Sequence, residues 1–200
     1  MTQTIPKATK SKQSGEIRVI GGLWRGRKLP VVDVEGLRPT PNRLKEMLFN
    51  WLSTKLVDAH CLDLFCGSGS LGIEAASRGA AQVTLLDLNP VVAKQMQQNL
   101  HKIKSPKLQF LQKDVLAFLA KNPQAMDLIF IDPPFHQNIL PQCLALIHQN
   151  GWLKVGGYLY IESESELHID VLNIPSNWRL HKQKTSGQVC CSLFVHEKTA

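Results

Sequence analysis

The feature that most constrains the fold is a regular alternation of short apolar runs and longer amphipathic segments that begins at Cys61. Apolar runs of this length predict buried strands, and the amphipathic segments between them predict helices. The five predicted strands are "CLDLFC", "QVTLLDL", "LQFLQ", "DLIFID" and "GGYLYIES". Because strands that alternate with helices over short links form a parallel sheet with helices on both faces, we predict an α/β fold.

The C-terminal end of the chain breaks this alternation. "WRLHKQK", the turn "TSGQ" and "VCCSLFVHE" predict an antiparallel hairpin. With these two strands, the expected architecture is a mostly parallel seven-stranded sheet that ends in an antiparallel hairpin. It differs from the plain dinucleotide-binding fold, whose six strands are all parallel.

The N-terminal region forms a separate predicted unit. Residues 1–16 are rich in Lys, Thr and Ser and predict a disordered basic tail. "IRVIGG" and "KLPVV" predict a small hairpin, and the next helix is expected to have Thr40 as its N-cap and Pro41 at its first position. Its apolar stripe comprises Leu44, Met47, Leu48, Trp51 and Leu52, with Arg43 and Lys45 outside it. We therefore expect a tail to residue 16, a hairpin and helix over 17–58, and the α/β domain over 59–200.

The positive charge of the chain is concentrated at its beginning. The first 45 residues hold ten Lys and Arg against three Asp and Glu, and the remaining residues hold 13 of each, so the formal net charge of +7 lies before the α/β domain. In "RVIGGLWRGRKLP" the basic residues alternate with glycines and a tryptophan, a mixture that suits phosphate contact and base stacking. A solvated surface is the alternative, and a nucleic-acid-binding region is the favoured interpretation.

The cysteines and the absence of long apolar runs indicate in which cell compartment the protein is found. Five cysteines, an odd number without C-x-x-C pairs, argue against a disulfide framework and against a zinc site. They suit small buried side chains in a reducing cytosol. The N-terminus lacks the apolar core of a secretory signal, and no apolar run reaches the roughly 18 residues of a membrane span. We expect a cytoplasmic protein with no metal and no membrane partner.

A glycine-rich loop follows the first strand of the α/β domain. In "DLFCGSGSLG", Asp63 is followed by Gly67, Gly69 and Gly72 in G-x-G-x-x-G spacing. Such glycines let the backbone approach a ligand closely, and the helix N-terminus that follows favours an anionic group. The motif alone leaves two interpretations: a nucleotide-binding loop, or a simple change of chain direction.

Two further aspartates end the next two strands. Asp87 lies 20 residues after Gly67, where a carboxylate can accept hydrogen bonds from both hydroxyls of a ribose. This spacing does not separate NAD from other adenosine ligands. Asp114 would lie beside an adenine, or would cap the helix that follows it, and the two roles are compatible.

The end of the fourth strand is the most unusual segment, "DLIFIDPPF". Proline cannot donate to a sheet, so the strand must end at Asp132, which is followed by Pro133, Pro134 and Phe135. The result is a stiff cluster of acceptors beside an aromatic ring. The Asp132 carboxylate and the Pro133 carbonyl can hold both N–H groups of an aryl amine and aim its lone pair at an electrophile. Asp132 can also favour loss of the amine proton, and Phe135 can stack on the heterocycle.

These motifs resemble, in order and spacing, the Rossmann-like S-adenosylmethionine-dependent methyltransferases that modify exocyclic amines. The glycine loop, "LLDLNP", "KDV" and "DLIFIDPPF" carry this resemblance. The N-terminal "IRVIGGLWRGRKLPV" and "GLRPTPNRLKEMLFNWL" narrow it to the bacterial 16S ribosomal RNA guanine-N2 methyltransferase family whose target is guanine 966, known as RsmD. The similarity extends over nearly the whole chain from Ile17.

The resemblance implies S-adenosylmethionine as the cofactor and direct in-line methyl transfer. Asp63 and the glycine loop would hold its methionine end, Asp87 its ribose, and Asp114 with the backbone of Val115 its adenine. The residues implied to contact the cofactor are Asp63, Phe65, Gly67, Ser68, Gly69, Asp87, Leu88, Asp114 and Val115. Those implied at the reacting amine are Asp132, Pro133, Pro134 and Phe135. Those implied to face RNA are Arg18, Trp24, Arg25, Arg27, Lys28, Arg38 and Arg43. The expected partner is 16S rRNA or an assembling 30S subunit, and the enzyme is expected to be a monomer.

Other functions remain open at this point. A DNA adenine-N6 methyltransferase would use the same acceptors, although it usually needs an added target-recognition domain. A methyltransferase acting on glutamine side chains would favour asparagine at position 132. An NAD-dependent oxidoreductase leaves the Asp-Pro-Pro-Phe segment unexplained, and a non-catalytic RNA-binding module leaves Asp132 and the glycine loop without a role.

Overall fold

The computed structural model describes residues 13–34, 40–121, 123–135, 137–167 and 172–198. Nine strands and five α-helices follow one another within them. In chain order they are β1 Gln13–Arg18, β2 Lys28–Val32, α1 Asn42–Trp51, β3 His60–Asp63, α2 Ser70–Ser77, β4 Gln82–Asp87, α3 Pro90–Ile103, β5 Leu108–Gln112, α4 Val115–Leu119, β6 Met126–Ile131, α5 Leu140–Asn150, β7 Leu153–Glu164, β8 Trp178–Ser186 and β9 Val189–His196.

The main sheet has seven strands in the order β5-β4-β3-β6-β7-β9-β8. The first five strands of this order are parallel, and β9 runs antiparallel between β7 and β8. This confirms the predicted fold class. The chain proceeds from β3 to β4 on one side and returns to β6 on the other. Open α/β sheets bind ligands in a crevice at the carboxyl ends of the strands where the order reverses in this way.

Apolar side chains pack on both faces of the sheet. One cluster joins α1, α2 and the N-terminal hairpin to the sheet, and the other joins α4 and α5 to the opposite face. All five cysteines are buried and unpaired, as predicted from the sequence. Among the helices that the structure describes, none is long and apolar enough to cross a membrane.

The N-terminal hairpin is present but begins earlier than predicted. β1 pairs antiparallel with β2, with Ile17 opposite Leu29. Because β1 starts at Gln13, residues 13–16 belong to the hairpin rather than to a disordered tail. Residues 1–12 lie outside the described residues.

A buried carboxylate attaches this hairpin to α2. Glu74 is fully buried and accepts hydrogen bonds from the backbone N–H groups of Ile20 and Gly21, at 2.8 and 2.7 Å, and from Arg78 Nε at 2.7 Å. Lys45 Nζ lies 3.7 Å from the same carboxylate. On the other side of the hairpin, Asn99 Nδ2 of α3 donates to the carbonyl of Pro30 at 3.0 Å. The hairpin is therefore part of the α/β domain surface and not a loose appendage.

Two predictions for α1 are wrong. Thr40 is not the N-cap: the helix begins at Asn42, Pro41 occupies the cap position, and Thr40 is buried. Lys45 is not outside the buried face, because its side chain is only 1% exposed and donates to the carbonyl of Arg18 at 2.7 Å. Burial lowers the pKa of Lys45, and the charge of Glu74 opposes this shift. A hydrophobic stripe cannot identify such a lysine, since its partner lies on another helix.

Candidate active site

The carboxyl ends of β3, β4, β6 and β7 meet at one edge of the sheet. The register aligns Asp63 with Leu85 of β4 and with Phe130 of β6. Asp87 is the last residue of β4, and Asp132 directly follows β6. The sheet thus brings together three aspartates that the sequence placed at separate strand ends.

The glycine loop turns sharply between β3 and α2. Gly69 has a φ of +77°, and a Cβ on it would lie 2.7 Å from Cε of Met96, so a larger residue would be strained and crowded. Gly72 lets α2 approach β4 closely, because its Cβ would lie 2.2 Å from Cδ2 of Leu85. The loop backbone at Gly67–Gly69 therefore lies at the helix N-terminus, where backbone N–H groups can face an anionic ligand group.

Asp87 supports this loop from the neighbouring strand. Its two carboxylate oxygens accept hydrogen bonds from the N–H of Gly67 at 3.0 Å and from the N–H of Asn89 at 2.8 Å. Asn89 caps α3. The Asp87 side chain is half-buried, and the next residue, Leu88, is 60% exposed. An exposed leucine beside a carboxylate suits a nucleoside, which offers an apolar ring next to hydroxyl groups.

Asp63 lies deeper in the fold. It is buried, and its carboxylate accepts a hydrogen bond from the N–H of Gly72 at 2.9 Å. Burial raises the pKa of Asp63 to about 7, with the charges of Asp87 and Glu162 acting in the same direction and the Gly72 hydrogen bond acting against them. Its predicted contact with the methionine end of a cofactor stays a prediction.

Asp114 and Val115 lie at the outer side of the crevice. Asp114 is the N-cap of α4 and accepts a hydrogen bond from the N–H of Ala117 at 2.8 Å, so the capping interpretation is correct. Its side chain is exposed, and Val115 is buried beneath it. Capping leaves the adenine role possible, because a carboxylate has further lone pairs to offer.

Asp132 is half-buried at the end of β6, with Pro133 buried and Pro134 and Phe135 exposed after it. Burial, followed by the charges of Glu162 and Asp63, holds the pKa of Asp132 well above its usual range. No hydrogen bond within the described part of the chain contributes to this shift. The side chain is partly exposed, so its carboxylate oxygens could accept hydrogen bonds from a ligand donor.

Glu162 of β7 belongs to the site but was not predicted from the sequence. This carboxylate is buried beside Asp132 and accepts a hydrogen bond from the Tyr160 hydroxyl at 2.9 Å. The Thr40 hydroxyl also hydrogen-bonds to it. A charged residue in a strand whose apolar pattern predicts burial, "GGYLYIES", was the available signal.

Most of the predicted RNA-facing side chains lie on the surface. Those that are exposed are Arg18, Arg25, Arg27, Lys28 and Arg43. Lys28 forms an exposed ion pair with Glu16 at 3.0 Å. Trp24 is half-buried and packs against the core, while its backbone N–H donates to Ser77 Oγ at 2.9 Å. Arg38 lies outside the described residues.

The glycine loop and the acidic strand ends carry residues that could hold an adenosine-type cofactor with a carboxylate-bearing end. Ser70 Oγ, at the first position of α2, is buried and has no hydrogen-bond partner among the described residues. Ser70 Oγ could therefore hydrogen-bond to a ligand at the Gly69 turn, and exposed Leu88 could pack against the apolar part of that ligand. In the described ranges, no group of three or more His, Cys, Asp or Glu side chains could hold a metal ion.

The sheet order, the glycine loop and the acidic strand ends give the chain the Rossmann-like methyltransferase fold. The solved structure of yhhF from Escherichia coli is 44% identical and matches with a TM-score of 0.84, over 92% of this chain and 100% of that chain. The solved structure of HI0767 from Haemophilus influenzae is 41% identical with a TM-score of 0.80, over 92% and 100% of the two chains.

The particular family follows from the sequence comparison. The chain belongs to the family described as Conserved hypothetical protein 95, whose model matches residues 17–195. Ribosomal RNA small subunit methyltransferase D of Escherichia coli strain K12 is 45% identical over 184 residues, which is 92% of both chains. The Haemophilus influenzae protein of the same name is 48% identical over 185 residues, 90% of this chain and 94% of that one. The family resemblance of the motifs is thereby confirmed.

Proposed function

We propose that this protein is an S-adenosylmethionine-dependent methyltransferase that methylates the exocyclic N2 of a guanine in 16S rRNA, at guanine 966. The observation that carries the proposal is the end of β6. There an aspartate without a hydrogen-bond donor from the described residues and a proline carbonyl stand beside the glycine loop. Relatives named ribosomal RNA small subunit methyltransferase D, similar over nearly the whole chain, support RNA of the small subunit as the substrate.

The chain offers a binding residue for each part of the cofactor. Bound S-adenosylmethionine supplies an electrophilic methyl group on a positively charged sulfur. The loop from Phe65 to Gly69, with Asp63 behind it, would hold the amino acid end. Asp87 would bind the ribose hydroxyls, with Leu88 against the nucleoside. Asp114 and the Val115 backbone would bind the adenine at the outer side of the crevice.

The reacting amine is held by acceptors alone. Asp132 and the Pro133 carbonyl would take the two N–H groups of the guanine amine, and Phe135 would stack on the base. Catalysis then consists mainly of positioning and charge placement. A covalent route through Cys66 is disfavoured, because burial raises the pKa of this thiol well above its usual range and keeps it protonated.

The hairpin and α1 would bring RNA to this edge of the sheet. Arg18, Arg25, Arg27, Lys28 and Arg43 would contact phosphates, together with Arg38 and with Trp24 at a base. A base inside a helix cannot reach the Asp132 pocket, so the target must lie in a loop or flip out. We propose a monomer that acts on 16S rRNA or an assembling 30S subunit in the bacterial cytoplasm.

Titration calorimetry tests the cofactor assignment directly. S-adenosylmethionine should bind and NAD should not, and binding of NAD alone would indicate an oxidoreductase. Binding of neither, combined with RNA binding, would indicate a non-catalytic RNA-binding module. Methylation of adenine in DNA by the protein would indicate that it is a DNA adenine-N6 methyltransferase.

Asp87→Ala is expected to weaken S-adenosylmethionine binding by about tenfold to a hundredfold, because hydrogen bonds to a charged acceptor are worth about 1.5–3 kcal/mol. Calorimetry measures the change. Glu46→Ala, at an exposed carboxylate of α1, is the control and should bind normally. Wild-type affinity in folded Asp87→Ala would contradict the ribose assignment.

Replacing Arg25, Arg27 and Lys28 together by alanine should weaken RNA binding and flatten its dependence on salt. Each lost phosphate contact lowers the slope of log affinity against log salt by about 0.7–0.9. The matched control replaces Lys102, Lys104 and Lys107, three exposed cations at the end of α3 and in the link to β5, outside the hairpin. Equal slopes for the two triple variants would place the RNA surface elsewhere.

A further inference from the structure

A second buried carboxylate lies next to Asp132 and has no part in the function proposed above. β6 and β7 pair in parallel with Ile131 opposite Ile161, so the next residues, Asp132 and Glu162, leave the two strands side by side. Glu162 is only 3% exposed. Its position is therefore fixed by the sheet, one strand away from the acceptor of the amine.

Two hydroxyl groups make ionisation of Glu162 tolerable in this buried position. Tyr160 donates to Glu162 Oε1 at 2.9 Å, and Thr40 also hydrogen-bonds to the carboxylate. Burial raises the pKa of Glu162 to about 6, and these two hydrogen bonds oppose the shift. Burial also raises the pKa of Tyr160 well above its usual range, so this hydroxyl remains a donor.

The titratable groups around Glu162 and Asp132 come from three strands. Besides Asp132, which directly follows β6, the groups near Glu162 are Asp63 of β3, Tyr160 of β7 and Cys191 of β9, which is paired with Glu162 in the sheet register. Burial raises the pKa of the Cys191 thiol to about 12, so it contributes no charge near neutral pH. Carboxylates this close cannot all ionise easily, and a proton added to the group is held strongly.

We propose that Glu162 is a positioning residue for the transfer, whose buried negative charge, held by Tyr160 and Thr40, makes Asp132 an effective proton acceptor for the amine. The inference rests on the proposed function. When the nitrogen lone pair forms the N–C bond, the methyl C–S bond breaks and its electron pair goes to sulfur, which loses its positive charge. The nitrogen gains that charge and gives one N–H proton to the Asp132 carboxylate, which becomes neutral and later releases the proton to water.

The isosteric variant Glu162→Gln tests this role through the pH dependence of transfer. Because the negative charge is gone, the acid limb of the rate profile should move to lower pH by about one unit. The plateau rate should fall about tenfold, since Asp132 becomes a weaker base. The KM values for S-adenosylmethionine and RNA should stay as in the wild type. Glu166→Gln, an exposed residue just after β7, is the control and should leave the profile unmoved.

Carbon-13 NMR titration of labelled aspartate carboxyls provides a readout without turnover. The Asp132 signal, assigned by its loss in Asp132→Ala, should have a lower titration midpoint in Glu162→Gln than in the wild type, with neither cofactor nor RNA present. Thr40→Val removes only one donor to Glu162 and should move the midpoint in the same direction by a smaller amount. If Glu162→Gln does not fold, the shift of the Asp132 midpoint in Thr40→Val tests the proposal in its place.

The possible outcomes separate the inference from the function on which it rests. A lower midpoint together with a shifted acid limb supports it. An unmoved midpoint or acid limb in a folded variant overturns it, because a merely structural glutamate would give that result. If the midpoint falls but the wild type transfers no methyl group to RNA, the proposed function is wrong, and only the pairing of the two carboxylates stands.

Discussion

Asp132→Ala is expected to bind S-adenosylmethionine like the wild type and to transfer methyl groups at least about a hundredfold more slowly. The variant removes the acceptor that holds the amine and takes its proton, and leaves the glycine loop and Asp87 intact. Calorimetry measures cofactor binding, and transfer of a tritiated methyl group to small-subunit RNA measures the rate.

The matched control is Asp127→Ala, at the other end of the same strand. Asp127 pairs with Lys154 at 2.8 Å and accepts a hydrogen bond from the N–H of His60 at 2.9 Å. It lies at the amino end of β6, away from the crevice, so its loss should affect stability and not turnover. Substantial turnover by Asp132→Ala, or an equal loss in both variants, would contradict the acceptor role.

Glu74→Ala is expected to destabilise the folded protein by about 3–5 kcal/mol. The change leaves the Lys45 ammonium group buried without its carboxylate and removes the acceptor for two N–H groups of the hairpin. Urea denaturation measures the free energy of unfolding. Glu74→Gln keeps an acceptor oxygen but not the charge, so its free energy of unfolding should lie between those of the wild type and Glu74→Ala.

Glu16→Ala is the comparison for an exposed pair. Glu16 and Lys28 are more than half exposed, and such pairs contribute about 0–1 kcal/mol. If Glu74→Ala cost no more than Glu16→Ala, the buried network would not be what holds the hairpin to α2. Because the hairpin carries Arg25, Arg27 and Lys28, loosening it should also weaken RNA binding.

The sheet could be predicted from the sequence because its signal is local. Apolar runs gave the strands, and the rule that parallel strands end at one edge placed Asp63, Asp87 and Asp132 together. The structure confirms all seven predicted strands of the main sheet, but β3 ends at Asp63 and not at Cys66, and β7 begins at Leu153 and not at Gly156. The roles of these residues toward cofactor and amine, like those of the basic residues toward RNA, stay predictions.

The contacts between distant segments could not be predicted. Lys45 and Glu74 lie on different helices, and a lone lysine in an amphipathic pattern predicts exposure unless its partner is known. Thr40 fits the N-cap preference, yet it hydrogen-bonds to Glu162, a residue of β7 far along the chain. Both errors arise because tertiary partners satisfy polar groups that local rules assign to solvent or to a helix end.

The most direct test of the central claim is methylation of small ribosomal subunits from a strain that lacks this enzyme. Purified protein and S-adenosylmethionine labelled with tritium in the methyl group are added, and the RNA is digested to nucleosides for chromatography. We expect the label to appear in N2-methylguanosine derived from position 966 of 16S rRNA. Label in another nucleoside or at another position, or subunits that remain unlabelled, would contradict it.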